Sequence, residues 1–247
     1  MWLFGTSRLP KMEKKPKLLG GEYRLKGEYH SHLDKKWKYY PIYIQKMRYV
    51  RSILNKLPKD AKIIDLGCGE GVLVREYAQK GYNIIGIDYN YSSKYVMEGD
   101  IANLKFKNNT FDVVLSLDVL EHLSFEQQEK AVSEIYRILN KKGKAIISVP
   151  NLAHFASRIS FLFLGNLIRT SSIERHKGDR PIGEYNSLFK KSKFRIIKRK
   201  GLFPTYPIIS LLTYFLPDKA LWLHKIYDNT LSYPNFCFLN IFILKKR

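Results

Sequence analysis

Between residues 62 and 149 the chain alternates short apolar runs with segments of helical period, and this alternation limits the possible folds more than any other feature. Residues 62–66, 83–88, 95–100, 112–117 and 144–149 read as strands, being short and dominated by β-branched and apolar residues. Residues 72–80 and 125–139 between them carry helical periodicity, with Ala131, Ile135, Ile138 and Leu139 on one face. Strands joined through crossover helices cannot pair as hairpins. They form a parallel sheet whose two faces are covered by helices. A further helix is expected over residues 42–57, where Ile42, Met47, Val50, Ile53, Leu54 and Leu57 form one stripe, and another over 153–164. Residues 194–200 and 235–245 add two strands, and 169–185 reads as a polar loop. The expectation is an α/β, Rossmann-like, doubly wound sheet of seven strands in one domain, decorated by residues 1–60 and 152–247.

The first strand runs into Asp65-Leu66-Gly67-Cys68-Gly69-Glu70-Gly71, and a helix follows. Glycines at this junction let the backbone turn sharply and pass close to a ligand at the carboxyl end of the sheet. A dinucleotide fingerprint would need its third glycine at position 72, which is Val72. The spacing here is G-x-G-x-G, which disfavours a pyrophosphate cradle. Asp88, closing the second strand, is placed to accept bonds from ribose hydroxyls. Asp100 can receive the exocyclic amine of a base, and Asp65 can face a cationic amine. An adenosine with a zwitterionic tail and no phosphate satisfies this set.

With these residues in place the sequence resembles the class I S-adenosylmethionine-dependent methyltransferases, particularly those acting on small molecules, quinones, lipids and glycans. The matching pieces are KIIDLGCGEG at 62–71, IIGID at 84–88, GDI at 99–101, LKFKNNTFDVVLSLDVLEHL at 104–123 and LNKKGKAIISVPN at 139–151. The resemblance implies S-adenosylmethionine as cofactor. It places Asp65, Gly67, Cys68, Gly69 and Gly71 along its methionine and ribose, Asp88 on the ribose and Tyr89 against adenine. Asp100 and Ile101 fall at the adenine edge, and Leu117 and Asp118 beside the methionine moiety. It also implies an antiparallel final hairpin. Two departures stand out: only 12 residues separate Asp88 from Asp100, and residues 202–233 form a long apolar insert before the last strand.

Methyl transfer to a hydroxyl gains from a general base. Candidates are His122, after the fourth strand, and His176, in the loop after the fifth, with His154 as a third. No Cys/His cluster with metal-ligand spacing is present, so no metal is expected. Cys68 reads as a packing residue.

The net charge of +21 is unevenly placed: residues 1–60 carry +10, 61–150 carry −1 and 151–247 carry +12. Basic flanks on a neutral core point to an anionic partner, either a membrane surface, a phosphorylated small molecule or RNA. Two cysteines form no disulfide framework, which suits a reduced, cytoplasmic setting. No apolar run is long enough to span a bilayer. Three functions follow: methylation of a small-molecule, lipid-linked or glycan-type acceptor at oxygen; RNA methylation using the basic flanks; or ligand binding without catalysis. No amino-methylating tetrapeptide follows the fourth strand, where the sequence is LDVLEHL. The insert reads either as added core or as an apolar lip docking on a membrane.

Overall fold

The computed structural model describes residues 34–169 and 171–246. Residues 1–33, the first part of the basic N-terminal decoration 1–60, fall outside this range. The seven-stranded sheet has the order β3-β2-β1-β4-β5-β7-β6. Its strands are β1 (Ile63–Leu66), β2 (Ile84–Asp88), β3 (Val96–Glu98), β4 (Phe111–Leu117), β5 (Leu139–Pro150), β6 (Phe194–Pro204) and β7 (Cys237–Lys246). The first five pair in parallel, and β7 runs antiparallel to both β5 and β6.

Alternation along each strand builds two cores. Ile63, Leu115, Ile146 and Ile241 point to one face, where they meet Ile42, Met47, Val50 and Leu54 of α1 (Tyr40–Leu54) and Leu73, Val74 and Tyr77 of α2 (Val72–Gln79). Ile64, Val114, Ala145, Ile147 and Phe242 point to the other. They pack on Ala131, Val132, Ile135 and Ile138 of α3 (Phe125–Ile138) and on Ile182, Tyr185, Leu188 and Phe189 of the helix Ile182–Lys191. Every position of β1 is buried, as a central parallel strand requires. The order reverses between β1 and β4, so a crevice opens at their carboxyl ends.

Several boundaries differ from the sequence reading. β3 keeps only three residues, Val96–Glu98, and ends where the Gly99 N–H makes a last bond to Asp88 O of β2 at 2.9 Å. β5 begins at Leu139, five residues early, since the turn after α3 pairs Leu139 with Phe111 through a bulge. The polar loop ends at Pro181, which caps the helix Ile182–Lys191. The insert splits: Leu202–Pro204 prolong β6, and two helices, Pro207–Phe215 and Leu221–Thr230, follow. With α4 (Phe155–Leu164) these are α5 (Ile182–Lys191), α6 (Pro207–Phe215) and α7 (Leu221–Thr230).

Candidate active site

Gly67, Gly69 and Gly71 all have left-handed backbones, with φ of 69°, 54° and 69°. Space forbids side chains as well. A Cβ on Gly67 would lie 2.6 Å from Val119, and one on Gly71 2.5 Å from Val96. The loop is pinned from β2: Asp88 Oδ2 accepts the Gly69 N–H at 2.7 Å, and Oδ1 accepts that of Asn90 at 2.9 Å. A carboxylate offers about four lone-pair directions, so two remain for a ligand's hydroxyls. Cys68 packs toward Gly86, and burial pushes its thiol well up, which leaves it no nucleophilic role.

Asp65 is buried, on the α1 side of β1. Burial raises its carboxyl to about 7, with Lys46 opposing and Asp88 adding to the rise. Beyond the short β3, Asp100 is exposed, and its Oδ1 accepts the Ala102 N–H at 2.8 Å. The side chain of Ile101 belongs to the core, so only its backbone is left for a base edge. Tyr89 is exposed beside Asp88. Asp65, the three glycines, Asp88, Tyr89 and Leu117 thus all stand at the carboxyl ends of the adjacent strands β1, β2 and β4.

Asp118 is otherwise engaged. Its backbone is left-handed at φ 57°. Lys46 of α1 donates to Oδ2 at 2.6 Å, and the Ser148 hydroxyl of β5 donates to Oδ1. Burial alone would raise this carboxyl, but Lys46 and Ser148 hold it below the usual range. Asp118 therefore anchors the N-terminal helix over the carboxyl edge of the sheet. Lys46 was not foreseen, although the signal was present: it stands four residues after Ile42 and four before Val50, inside the apolar stripe.

The two histidines proposed as bases come together. The rings of His122 and His176 meet edge to face, with centroids 4.8 Å apart. His122 lies on a single 3₁₀ turn, Leu120–His122, after β4. A buried clamp joins this turn to the loop after β5. Gln128 of α3 donates to Leu120 O at 2.8 Å and to Gly178 O at 2.7 Å, and Arg180 donates to Gln128 Oε1 at 2.7 Å. The Gly178 N–H returns a bond to Glu121 O at 3.0 Å. Position 178 must be glycine, because a Cβ there would stand 1.9 Å from Gln128 and 2.2 Å from Leu123 O. His122 Nδ1 lies 3.1 Å from the Arg175 carbonyl. A carbonyl only accepts, so the proton sits on Nδ1 and Nε2 keeps its lone pair. Desolvation by the surrounding residues, reinforced by His176, lowers the pKa of His122. His154 has a different task. Its Nδ1 accepts the Ser157 N–H and contacts Thr205 Oγ1 at 2.9 Å, so it caps α4, and burial drives it to about 4.

Residues 64–147 match the family described as a methyltransferase domain. An uncharacterised protein of Methanocaldococcus jannaschii is 39% identical over 100 residues, which are 38% of this chain and 42% of that protein. A probable S-adenosylmethionine-dependent methyltransferase of Mycolicibacterium smegmatis is 31% identical over 104 residues, 38% of this chain and 40% of its own. The chain therefore spans about two fifths of the length of these relatives. Among solved structures, an S-adenosylmethionine-dependent methyltransferase of Archaeoglobus fulgidus superposes with a TM-score of 0.56 at 16% identity, covering 92% of this chain and all of the other. Relatives over the same region differ widely in acceptor. One is a tRNA methyltransferase of Arabidopsis thaliana (30% identical; 40% of this chain, 26% of that protein) and another a sterol 24-C-methyltransferase of Saccharomyces cerevisiae (33%; 33% and 25%).

Residues 64–147 thus form a methyltransferase domain, on a fold shared with S-adenosylmethionine-dependent methyltransferases of class I. Its residues fit S-adenosylmethionine: a glycine loop in which Gly67 and Gly71 leave no room for a Cβ, an Asp88 carboxylate with lone pairs to spare for ribose hydroxyls, and a buried Asp65 suited to an ammonium group.

Proposed function

We propose that the protein methylates a hydroxyl oxygen of a lipid-linked or glycan-type small acceptor, which it meets at an anionic membrane surface. The cofactor supplies an electrophilic methyl on sulfur. Asp65, the glycine loop and Asp88 bind and orient it, and His122 Nε2 takes the proton of the attacking hydroxyl. In this displacement the oxygen–carbon bond forms as the carbon–sulfur bond breaks, the electron pair remaining on sulfur.

One observation carries the choice of acceptor. In α4, Phe161, Leu162, Phe163 and Leu164 are 58–75% exposed, and Ser157 is the helix's only buried residue. In α6, Ile208, Leu211, Tyr214 and Phe215 are 60–69% exposed. The two helices start side by side, with the Phe155 and Tyr206 rings meeting edge to face at 5.0 Å and Thr205 Oγ1 accepting the Ala156 N–H. Burying a Leu or Phe is worth about 1.5–3 kcal/mol, so eight such side chains forgo on the order of 10 kcal/mol in water. Solvated monomers rarely leave so large an apolar surface uncovered. Nearby, Arg48, Lys219 and Lys225 surround the exposed Trp222 in an open depression, a pairing suited to anionic headgroups. Among the described residues no helix is long and apolar enough to cross a membrane, and the contact proposed is an interfacial one. Within the insert Leu202, Phe203, Ile209 and Leu223 are core, while Ile208, Leu211, Leu212, Phe215 and Trp222 are exposed, and this exposed set supports the docking reading.

Co-sedimentation with vesicles of anionic and neutral lipid tests the proposal. The wild type should pellet with anionic vesicles, and a Phe163→Ser/Phe215→Ser variant, altered only at exposed positions, should stay in solution. If the wild type stays in solution too, the membrane reading is lost. The second reading, RNA methylation, draws on the basic flanks and the tRNA methyltransferase relative. It requires tight RNA binding that weakens steeply with salt.

A further inference from the structure

We propose that Glu121, His122 and His176 form a binding site for one divalent transition-metal cation on the acceptor side of the pocket. One ligand atom from each side chain lies within 4.8 Å of the other two. Donors around a single ion at about 2.1 Å stand roughly 3–3.5 Å apart, a contraction that small side-chain rotations provide. Sequence spacing, from which no metal was expected, does not reveal this site because Glu121 and His122 stand far along the chain from His176 and the fold brings them together.

Two further observations point to a cation. First, both imidazoles are held as metal ligands usually are. His122 Nδ1 faces the Arg175 carbonyl at 3.1 Å, and His176 Nδ1 faces Asp179 Oδ1 at 3.2 Å. Such outer contacts fix the tautomer so that the lone pair lies on Nε2. Asp179 is itself buried, and Arg169 lies 3.4 Å from its other oxygen. Second, Glu121 is 2% exposed, and its Oε2 has no hydrogen-bond partner. Lys46, the nearest named cation, is spent on Asp118. A buried carboxylate oxygen without a donor is costly, and a cation between it and the two imidazoles removes that cost.

Two imidazoles and one carboxylate suit zinc, manganese, iron or cobalt rather than magnesium, and leave coordination positions open. In the catalytic role, which rests on the hydroxyl acceptor proposed above, an acceptor oxygen takes an open position. Coordination lowers its pKa. The hydroxyl proton passes to water, and the oxygen bonds the methyl carbon as the carbon–sulfur bond breaks, the electron pair remaining on sulfur. His122 then serves as a ligand in place of its role as base.

The test is calorimetric titration of the chelator-treated full chain with ZnCl₂, MnCl₂ and MgCl₂, without cofactor or acceptor. One saturable site per chain for zinc or manganese is expected, at least tenfold weaker for magnesium. His176→Ala and Glu121→Gln should each weaken it tenfold or more, and Asp179→Asn about ten- to a hundredfold through loss of the outer contact. Co²⁺ absorption of wild type against His176→Ala reports imidazole ligation independently. Should one variant fail to fold by circular dichroism, the other two decide. No one-to-one binding, or equal affinity in the folded variants, overturns the site. Metal binding without methylation of any hydroxyl acceptor would leave the site standing and remove the proposed acceptor chemistry instead.

Discussion

Asp88→Asn keeps the shape of the side chain but removes its charge and turns one acceptor into a donor. In the wild type both carboxylate oxygens already hold backbone N–H groups, those of Gly69 at 2.7 Å and Asn90 at 2.9 Å. An amide nitrogen cannot accept from either, so one contact is lost whichever way the Asn side chain turns. A bond to a charged partner contributes about 1.5–3 kcal/mol, and this half-buried position should lie at the lower end. The lone pairs left for a ribose diol fall together with the charge. Loss of one such bond to ligand corresponds to roughly a ten- to hundredfold rise in Kd. Calorimetry with S-adenosylhomocysteine reads the affinity, and urea unfolding reads the stability. The expected result is a folded variant with an unchanged m-value, a slightly lower midpoint and affinity reduced at least tenfold. A folded variant with wild-type affinity would refute the ribose assignment and leave Asp88 only its part in pinning the loop.

Three further outcomes are expected. Asp65 titrates near 7, and a cationic amine pairs with its ionised form, so S-adenosylhomocysteine affinity should fall as pH drops below 7; in Asp65→Asn affinity should be lower and this pH dependence absent, as calorimetry across pH 5.5–8.5 would reveal. Asp228 is raised to about 7 by burial, so the folded state holds its proton more tightly than the unfolded chain and stability falls as pH rises from about 4 through 7; Asp228→Asn, which retains an acceptor for the Phe203 N–H, should raise Tm at pH 8 and change it little at pH 5. Gly178→Ala forces apart Gln128 and Leu123 O and should cost about 3 kcal/mol or more in urea unfolding, with separation of the His122 and His176 ring resonances by NMR.

Local rules carried the sequence reading a long way. The strand–helix alternation set the parallel sheet, and glycine spacing set the left-handed loop, because both depend on backbone geometry within a few residues. They failed where a boundary depends on a neighbour. The early start of β5 needs Phe111 beside it, and β6 extends through Pro204 because β7 pairs with it as far as Cys237. Asp118 was placed by its position after β4 and could not be assigned to Lys46, since an ion pair across 72 residues leaves no periodic trace.

What the sequence determined alone is the region of the glycine loop: Asp65, the three glycines and Asp88 lie within 24 consecutive residues, so two strands with the turn and helix between them suffice to assemble it. The pairing of the two histidines was decided by tertiary structure. His122 and His176 are neighbours only because Gln128 holds Leu120 and Gly178 on one buried amide. Likewise, the apolar residues of α4 and α6 read the same whether buried or bare. Exposure is set by what the remaining chain leaves uncovered, and the fold covers Leu202 and Ile209 but leaves Phe163 and Phe215 to meet something else.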